Sequence, residues 1–195
     1  MGGLTPMTSI DYPGELAAVV FLQGCPWRCS YCQNAHLLSA RPDGEMTWRQ
    51  TLDFLTSRKG LLDAVVFSGG EPTLQAGLPD AIGAVKALGL KVGLHTAGIY
   101  PKRLAGVLPL IDWLGLDIKT LPEHYEAITG IPGSGEAAWE SLELAIDSGV
   151  CLQVRTTVAP PVEPYIEALT LKLKQAGVSD HRLQQYRPPA MPIKP

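Results

Sequence analysis

Short apolar runs alternate with helical patterns along this chain, and this alternation restricts its fold more than any other feature. The apolar runs are rich in β-branched residues and predict buried strands at residues 16–23, 64–67, 90–94, 113–118 and 150–158, with a weaker sixth strand at 182–186. Helical patterns occupy residues 47–58, 78–88, 100–107, 136–148 and 164–175. Strict alternation of this kind predicts βαβ units that build a parallel sheet.

The chain length then selects among parallel architectures. A complete eight-unit barrel typically needs about 250 residues, so a chain of 195 residues has room for about six units. We therefore predict an α/β fold, a partial (β/α)6 TIM-like barrel of parallel strands, in one domain over residues 1–195. Residues 4–13 are predicted to add an edge strand or to cover the end of the barrel.

The composition argues against several classes of partner. Charged residues make up 18% of the chain and its net charge is −3, so we expect neither a nucleic-acid surface nor attraction to an anionic membrane. No apolar stretch reaches the roughly 18 residues that a membrane-spanning helix needs. The first residues also lack the pattern of a secretory signal. The chain is therefore predicted to be cytoplasmic.

Three of the four cysteines form a tight cluster, Cys25, Cys29 and Cys32, in a C-x3-C-x2-C spacing directly after the first predicted strand. Thiolates are ligands for soft metals and iron–sulfur clusters, and a fully ligated cubane takes four of them. The fourth cysteine, Cys151, opens the fifth strand at the opposite end and is interpreted as a buried small apolar residue. Three ligands would leave one iron open to a substrate. A Cys3His zinc site that uses His36, in a binding module without catalysis, is the alternative.

The other unusual polar residues also lie where predicted strands end. In parallel α/β folds the carboxyl ends of the strands form the edge at which ligands bind. Segments that are far apart in sequence should therefore converge there, and we predict a shared site. Its members beyond the cysteines are Gly69, Gly70, Glu71, His95, Thr96, Asp117, Lys119, Arg155 and Arg187.

Two of these motifs together resemble the radical S-adenosylmethionine (SAM) superfamily: the three-cysteine spacing after the first strand and the Gly-Gly-Glu-Pro sequence at 69–72 after the second. More narrowly, GCPWRCSYCQN at 24–34, HTAG at 95–98, LDIK at 116–119 and VRTTV at 154–158 resemble the activases of glycyl-radical enzymes. Within that group the similarity is to the activating proteins of anaerobic ribonucleoside-triphosphate reductase. The resemblance covers nearly the whole chain.

The resemblance implies a radical SAM core and two cofactors, a [4Fe–4S] cluster and SAM. It implies that Cys25, Cys29 and Cys32 ligate three irons and that SAM chelates the fourth. Tyr31 would lie against the adenine of SAM. It also implies that Gly69, Gly70 and Glu71 contact the SAM amino group, chiefly through their backbone.

The resemblance also assigns the remaining SAM contacts. Asp117 would hold the ribose hydroxyls, and Lys119 and Arg155 would pair with the SAM carboxylate, for which the planar fork of arginine is well shaped. Relatives often carry Asp at the position of His95, near the SAM amino group, and Thr96 would share that role. Arg187 matches a position near the carboxylate.

The implied reaction is reductive cleavage of SAM to a 5′-deoxyadenosyl radical, with an electron from an external donor of the flavodoxin or ferredoxin type. The radical would abstract hydrogen from a backbone glycine of a glycyl-radical enzyme, and no catalytic acid or base is expected beyond the cofactors' ligands. A radical SAM enzyme that acts on a small molecule, as a deazapurine synthase does, is the alternative within the superfamily.

Overall fold

A computed structural model describes residues 1–40 and 46–187, and its strands form one sheet in chain order. Strand β1 is antiparallel to β2, and every pairing from β2 onward is parallel. The sheet with its helices is the predicted α/β partial barrel. Its strands are β1 (Gly3–Thr8), β2 (Ala17–Leu22), β3 (Ala64–Gly69), β4 (Lys91–Thr96), β5 (Trp113–Asp117), β6 (Cys151–Val158) and β7 (His181–Gln185).

The helices connect the parallel strands. They are α1 (Trp48–Ser57), α2 (Leu78–Ala87), α3 (Pro101–Val107), α4 (Tyr125–Thr129), α5 (Ser134–Ser148) and α6 (Ile166–Gln175). Five of them match predicted helices, whereas α4 was not predicted, because five residues are too few to show a helical period. The longest, α5, has 15 residues, and no helix in the described ranges is long and apolar enough to cross a membrane.

The strands bury both of their faces, which explains why the sequence shows continuous apolar runs. On the outer face, strand residues such as Val65, Leu94 and Leu114 pack in one large core with the helices. On the inner face, Val19 and Val66 belong to a second, smaller cluster that closes the lower part of the barrel.

The N-terminal segment does both things predicted of it. Strand β1 pairs along the free edge of β2, and Tyr12, a few residues later, stacks on Trp113 inside the barrel with ring centroids 5.2 Å apart. Below this pair, at the amino ends of the strands, lies a cavity of about 480 Å³ that Cys151 also lines. Cys151 is exposed, so its interpretation as a buried apolar residue is wrong: the sheet ends in this cavity instead of a packed layer.

Candidate active site

A cavity of about 280 Å³ lies at the carboxyl ends of the parallel strands, where the strand-end motifs were expected to meet. Its lining draws on the ends of six strands and on the loop after β2. Eleven of the predicted site residues line it: Cys25, Cys29, Tyr31, Cys32, Gly69, Gly70, His95, Thr96, Asp117, Lys119 and Arg155.

The cysteine loop is fastened to helix α4 on the far side of the barrel. The backbone N–H of Arg28 donates to the Thr129 carbonyl at 2.9 Å, and that of Ser30 donates to the Ile128 carbonyl at 3.1 Å. Trp27, which is buried, packs edge-on against Tyr125 with ring centroids 5.8 Å apart. The loop that carries the three thiols is therefore held at both its backbone and its aromatic side chain.

The three clustered thiols are half-buried and line the same cavity. Burial raises the pKa of Cys25 to about 11, although a backbone donor on Trp27 opposes the shift. The metal-free thiol is therefore protonated at neutral pH and would release its proton on binding iron. The donor set is the soft thiolate set that an iron–sulfur cluster requires.

Among the described residues, no ready-made site for a single metal ion is formed, and this is compatible with a cubane. Within residues 1–40 and 46–187, no three His, Cys, Asp or Glu side chains converge as ligands of one metal ion. The cysteines of a cubane each bind a different iron, so they surround a cavity without meeting at one point. His36, the fourth ligand in the zinc alternative, is exposed and does not line the cavity.

Gly69 and Gly70 form a cradle against the start of the cysteine loop. A Cβ on Gly69 would overlap the Leu22 backbone, and one on Gly70 would overlap the Gly24 carbonyl, so this close approach requires glycine. The Gly70 and Glu71 N–H groups already donate to the Leu22 and Gly24 carbonyls. A ligand amino group, which is a donor, would therefore meet carbonyl oxygens here.

Glu71 is completely buried behind this cradle and does not line the cavity. Its carboxylate accepts hydrogen bonds from the Thr73 N–H at 3.0 Å and the Thr73 hydroxyl, from the Thr96 hydroxyl at 2.6 Å, and from the Ala97 N–H at 3.1 Å. Burial raises the pKa of Glu71 in spite of these four donors. Glu71 therefore ties the loop after β3 to the turn after β4.

Asp117 and Arg155 form an ion pair across β5 and β6. Nε of Arg155 donates to Oδ1 of Asp117 at 3.0 Å, and Nη2 of Arg155 lies 2.8 Å from the same oxygen. Burial raises the pKa of Asp117, but the charges on Arg155 and Lys119 outweigh it and hold that pKa below its ordinary value. Oδ2 of Asp117 and Nη1 of Arg155 have no partner in the described residues, so both can bind a ligand.

Lys119 and Tyr31 face one another in the cavity, with the Lys119 Nζ 5.7 Å from the centre of the Tyr31 ring. Burial disfavours the charged form of Lys119, but interactions with Tyr31, Cys29 and Asp117 favour it. These interactions outweigh burial, so the pKa of Lys119 is raised. No carboxylate in the described ranges forms an ion pair with it, so it is available to an anionic ligand. The buried Tyr31 hydroxyl also has no hydrogen-bond partner among the residues that the structure describes.

His95 is a buried, neutral member of the site. Its Nε2 lies 2.9 Å from the Asp11 carbonyl, which can only accept, so Nε2 carries the proton and Nδ1 keeps a free lone pair. Burial and the nearby Arg155 charge lower the pKa of His95 to about 3. The imidazole ring packs edge-on against Trp113 at 5.3 Å.

Two predicted site residues, Glu71 and Arg187, do not line the cavity, and several lining residues were not predicted. Arg187 is exposed, beyond the end of β7, and does not line the cavity. Asn34, Thr157, Gln184 and Asp11 do line it. Asn34 follows the cysteine motif directly and donates from Nδ2 to the Gly69 carbonyl at 3.3 Å, so its position next to the motif was a usable signal.

Comparisons with known proteins identify the family of this chain. Residues 19–171 match the family model of the radical SAM superfamily. A protein of Methanocaldococcus jannaschii, whose provisional name is glycyl-radical enzyme activating enzyme, is 31% identical over 96% of this chain and 80% of its own length. A pyruvate formate-lyase-activating enzyme of Clostridium pasteurianum is 33% identical over 79% of this chain, and the match spans 66% of that enzyme.

Solved structures show the same fold. The crystal structure of Streptococcus suis SuiB bound to S-adenosylmethionine superposes with a TM-score of 0.70 over 88% of this chain. The match covers 41% of the SuiB chain at 16% identity, so the likeness concerns the barrel alone. The donor set, the glycine cradle and the free cationic groups described above fit an iron–sulfur cluster with SAM.

Proposed function

The chain belongs to the radical SAM superfamily, and from this premise we propose that it activates a glycyl-radical enzyme. Together, a [4Fe–4S] cluster and SAM supply one-electron reductive cleavage of a SAM carbon–sulfur bond, which yields methionine and a 5′-deoxyadenosyl radical. The proposed target is a backbone glycine of a partner protein, and anaerobic ribonucleoside-triphosphate reductase is the specific candidate. The proposed electron donor is an external protein of the flavodoxin or ferredoxin type.

The observation that carries the proposal is the meeting of three thiols with free cationic groups in one cavity. Cys25, Cys29 and Cys32 would hold the cluster. Arg155 and Lys119 would bind the carboxylate of SAM, because each keeps a donor without a protein partner.

The rest of the cavity would position the nucleoside and the amino group. Asp117 would accept hydrogen bonds from ribose hydroxyls through its free Oδ2, and Tyr31 would lie against the adenine. The carbonyl side of the Gly69–Gly70 cradle would accept from the SAM amino group, and His95 would accept through Nδ1. Glu71 would act behind the surface by holding the cradle in place, and Thr96, which lines the cavity, donates to the Glu71 carboxylate. Arg187 stays a prediction without a structural contact.

Two observations support a protein as the substrate. The relatives that match most of the chain carry the names of activating enzymes. Within residues 1–40 and 46–187, β7 is the last strand of the sheet and its residues are mostly exposed, so in this part of the chain the barrel is open on that side. An open side admits a loop of a large partner.

Anaerobic reconstitution with iron and sulfide tests the cofactor assignment. We expect a brown protein with about four irons per chain, whose reduced-cluster electron paramagnetic resonance (EPR) signal changes when SAM is added. Cys25→Ala, Cys29→Ala and Cys32→Ala should each lose the cluster. Cys151→Ala is the matched control and should keep it, because Cys151 lies at the opposite end of the barrel. A colourless protein that holds one zinc contradicts the proposal.

The substrate assignment is tested separately. The reduced, SAM-loaded protein is mixed with anaerobic ribonucleoside-triphosphate reductase and with other glycyl-radical enzymes, and a glycyl doublet is sought by EPR. A doublet with any of these enzymes supports activation. The enzyme that gives the strongest doublet is identified as the partner. SAM cleavage that proceeds only with a small molecule, without any doublet, overturns the activase proposal and leaves the radical SAM chemistry intact.

A further inference from the structure

Gly115 occupies the inner face of β5 at a point where three side chains converge. A Cβ built on it would lie 2.8 Å from Cη2 of Trp113, 2.9 Å from Cδ2 of His95 and 3.1 Å from Cζ of Arg155. Contacts under 3.0 Å are essentially never seen for a real Cβ, so one of these groups would have to move.

The need for glycine here is one of space and not of backbone conformation. Gly115 is not among the glycines with positive φ, and it pairs in regular parallel register with His95 of β4. Glycine is otherwise unfavourable in the interior of a strand, where it often marks the close approach of another group. Three groups approach here: the Trp113 and His95 rings, both within 3.0 Å of the built Cβ, and the Arg155 guanidinium at 3.1 Å on its way to Asp117.

Of the three neighbours, the Arg155 guanidinium is best able to yield. Trp113 is fixed by its stacking on Tyr12, and His95 is fixed by its hydrogen bond to the Asp11 carbonyl and by Trp113. Arg155 has a long flexible side chain held by contacts to one oxygen of Asp117. A methyl group at position 115 would therefore force the two held rings to shift slightly and would push the more flexible guanidinium out of its present position against Asp117.

We propose that Gly115 is a positioning residue for SAM: the absence of a side chain there sets where the Arg155 guanidinium lies and therefore where the SAM carboxylate binds. The proposal rests on the function proposed above, specifically on Arg155 as a ligand of the carboxylate. It adds a residue that touches neither the cluster nor SAM and controls SAM binding through Arg155.

The barrel offers a matched control in Gly93, the inner-face glycine of β4. A Cβ there would lie 3.0 Å from Cδ1 of Tyr12, 3.2 Å from Cε3 of Trp113 and 3.2 Å from Cγ2 of Val66, with Arg155 not among its nearest contacts. Gly93→Ala therefore crowds the same barrel interior without reaching the guanidinium. It separates crowding of the barrel from displacement of Arg155.

The test compares Gly115→Ala, Gly93→Ala, Arg155→Ala and the Gly115→Ala/Arg155→Ala double variant as reconstituted holoenzymes. Iron content and the EPR signal of the reduced cluster report the cluster, and 5′-deoxyadenosine formation against SAM concentration reports KM. We expect Gly115→Ala to keep the cluster and to raise the KM for SAM about tenfold or more, as expected for a lost charge-assisted contact. Gly93→Ala should stay within about twofold, and the double variant should match Arg155→Ala, because both changes act on one contact.

A crystal structure of cluster-free Gly115→Ala supplies a readout that does not depend on activity. The Arg155 Nη2 to Asp117 Oδ1 distance, 2.8 Å here, should lengthen, because the 3.1 Å contact requires the guanidinium to give way by a few tenths of an ångström. An unchanged ion pair, an unchanged KM or effects that add in the double variant would each overturn the positioning role. If Arg155→Ala leaves the KM unchanged, the SAM assignment of Arg155 fails first, and the role of Gly115 fails with it.

If Gly115→Ala cannot load a cluster, the double variant Trp113→Phe/Gly115→Ala replaces it. The change to phenylalanine removes Cη2 of Trp113, the atom closest to the added methyl group. If this variant loads a cluster, its KM for SAM decides between the same outcomes. If neither variant loads a cluster, Gly115 serves the fold of the barrel and the proposal is wrong.

Discussion

Arg155 contacts Asp117 through both Nε and Nη2, at 3.0 Å and 2.8 Å, and both contacts end on the single carboxylate oxygen Oδ1. The pair thus keeps one free acceptor on Asp117 and one free donor group on Arg155, directed to a cavity that both residues line. An ion pair built only for stability would have used both oxygens in the fork geometry that arginine favours. This arrangement suits a site that must bind a ligand with both charges.

Asp117→Asn is expected to weaken SAM binding while the cluster remains. The substitution preserves shape but removes the negative charge, and lost charge-assisted hydrogen bonds typically cost about 1.5–3 kcal/mol. We therefore expect the KM for SAM to rise about tenfold or more, measured by 5′-deoxyadenosine formation. Asp180→Asn is the control, because Asp180 pairs with Arg182 at 2.7 Å and does not line the active-site cavity. Equal effects of the two variants would contradict the role of Asp117.

Removal of the Glu71 carboxylate is expected to destabilise the chain strongly. Glu71→Ala leaves the buried donors of Thr73, Thr96 and Ala97 without a partner, so the free energy of unfolding should fall by about 3–5 kcal/mol. Glu71→Gln can keep its carbonyl where Oε1 accepts three of the four bonds, and it should cost about 1–2 kcal/mol. Urea unfolding of the cluster-free variants measures both. A Glu71→Ala variant no less stable than Glu71→Gln would show that the network is not what holds the loop.

The lowered pKa of His95 predicts a loss of stability in mild acid. The unfolded chain takes up a proton on this residue below about pH 6.5, its ordinary pKa, whereas the folded chain does so only near pH 3. The free energy of unfolding should therefore fall as the pH drops from 6.5 towards 3, by about 1.4 kcal/mol per unit for one proton. Above pH 6.5 the contribution is complete.

His95→Gln isolates this titration, because glutamine can donate to the Asp11 carbonyl but does not titrate. Urea unfolding of the cluster-free chains between pH 7 and pH 5 should show a steeper loss in the wild type than in the variant. The difference should reach about 2 kcal/mol at pH 5. Parallel pH dependences in the two proteins would rule out a neutral, buried His95.

The unpartnered hydroxyl of Tyr31 predicts opposite effects on stability and on SAM binding. In the described residues, Tyr31 Oη and Thr120 Oγ1 are the buried side-chain atoms that lack a hydrogen-bond partner. Tyr31→Phe and Thr120→Val should each stabilise the cluster-free chain by up to about 1 kcal/mol. Only Tyr31→Phe should raise the KM for SAM, by a few-fold, because Thr120 does not line the cavity. The same KM in both variants would exclude a hydrogen bond from the Tyr31 hydroxyl to the ligand.

Most of the fold followed from local pattern. The five strong apolar runs and the weaker sixth became β2 to β7, because strands buried on both faces must be continuously apolar. Thr47 caps α1 at the start of the predicted helical pattern, with a reciprocal hydrogen bond to Gln50. Helix α4, which holds the cysteine loop, was not predicted, because its five residues are too few to show a helical period.

The candidate site was predictable from the sequence only in part. Residue type and spacing identified the three cysteines and the strand-end residues, because parallel strands bring their carboxyl ends to one edge. The same reasoning could not separate Glu71, which lies behind the surface, from Gly70, which lies on it. Nor could it foresee Gln184 or Thr157, ordinary polar residues whose only distinction is their position.

The sequence by itself determined the strand order, the cluster of three thiols and the edge of the barrel at which the candidate site lies, because these depend on hydrophobic pattern, residue chemistry and chain connectivity. The tertiary structure alone decided which atoms lack a partner among the described residues: Nη1 of Arg155, Oδ2 of Asp117, Nδ1 of His95 and the Tyr31 hydroxyl. It also revealed that Gly115 is needed for space. Hydrogen-bond partners and excluded volume are set by residues distant in sequence, so no local pattern records them.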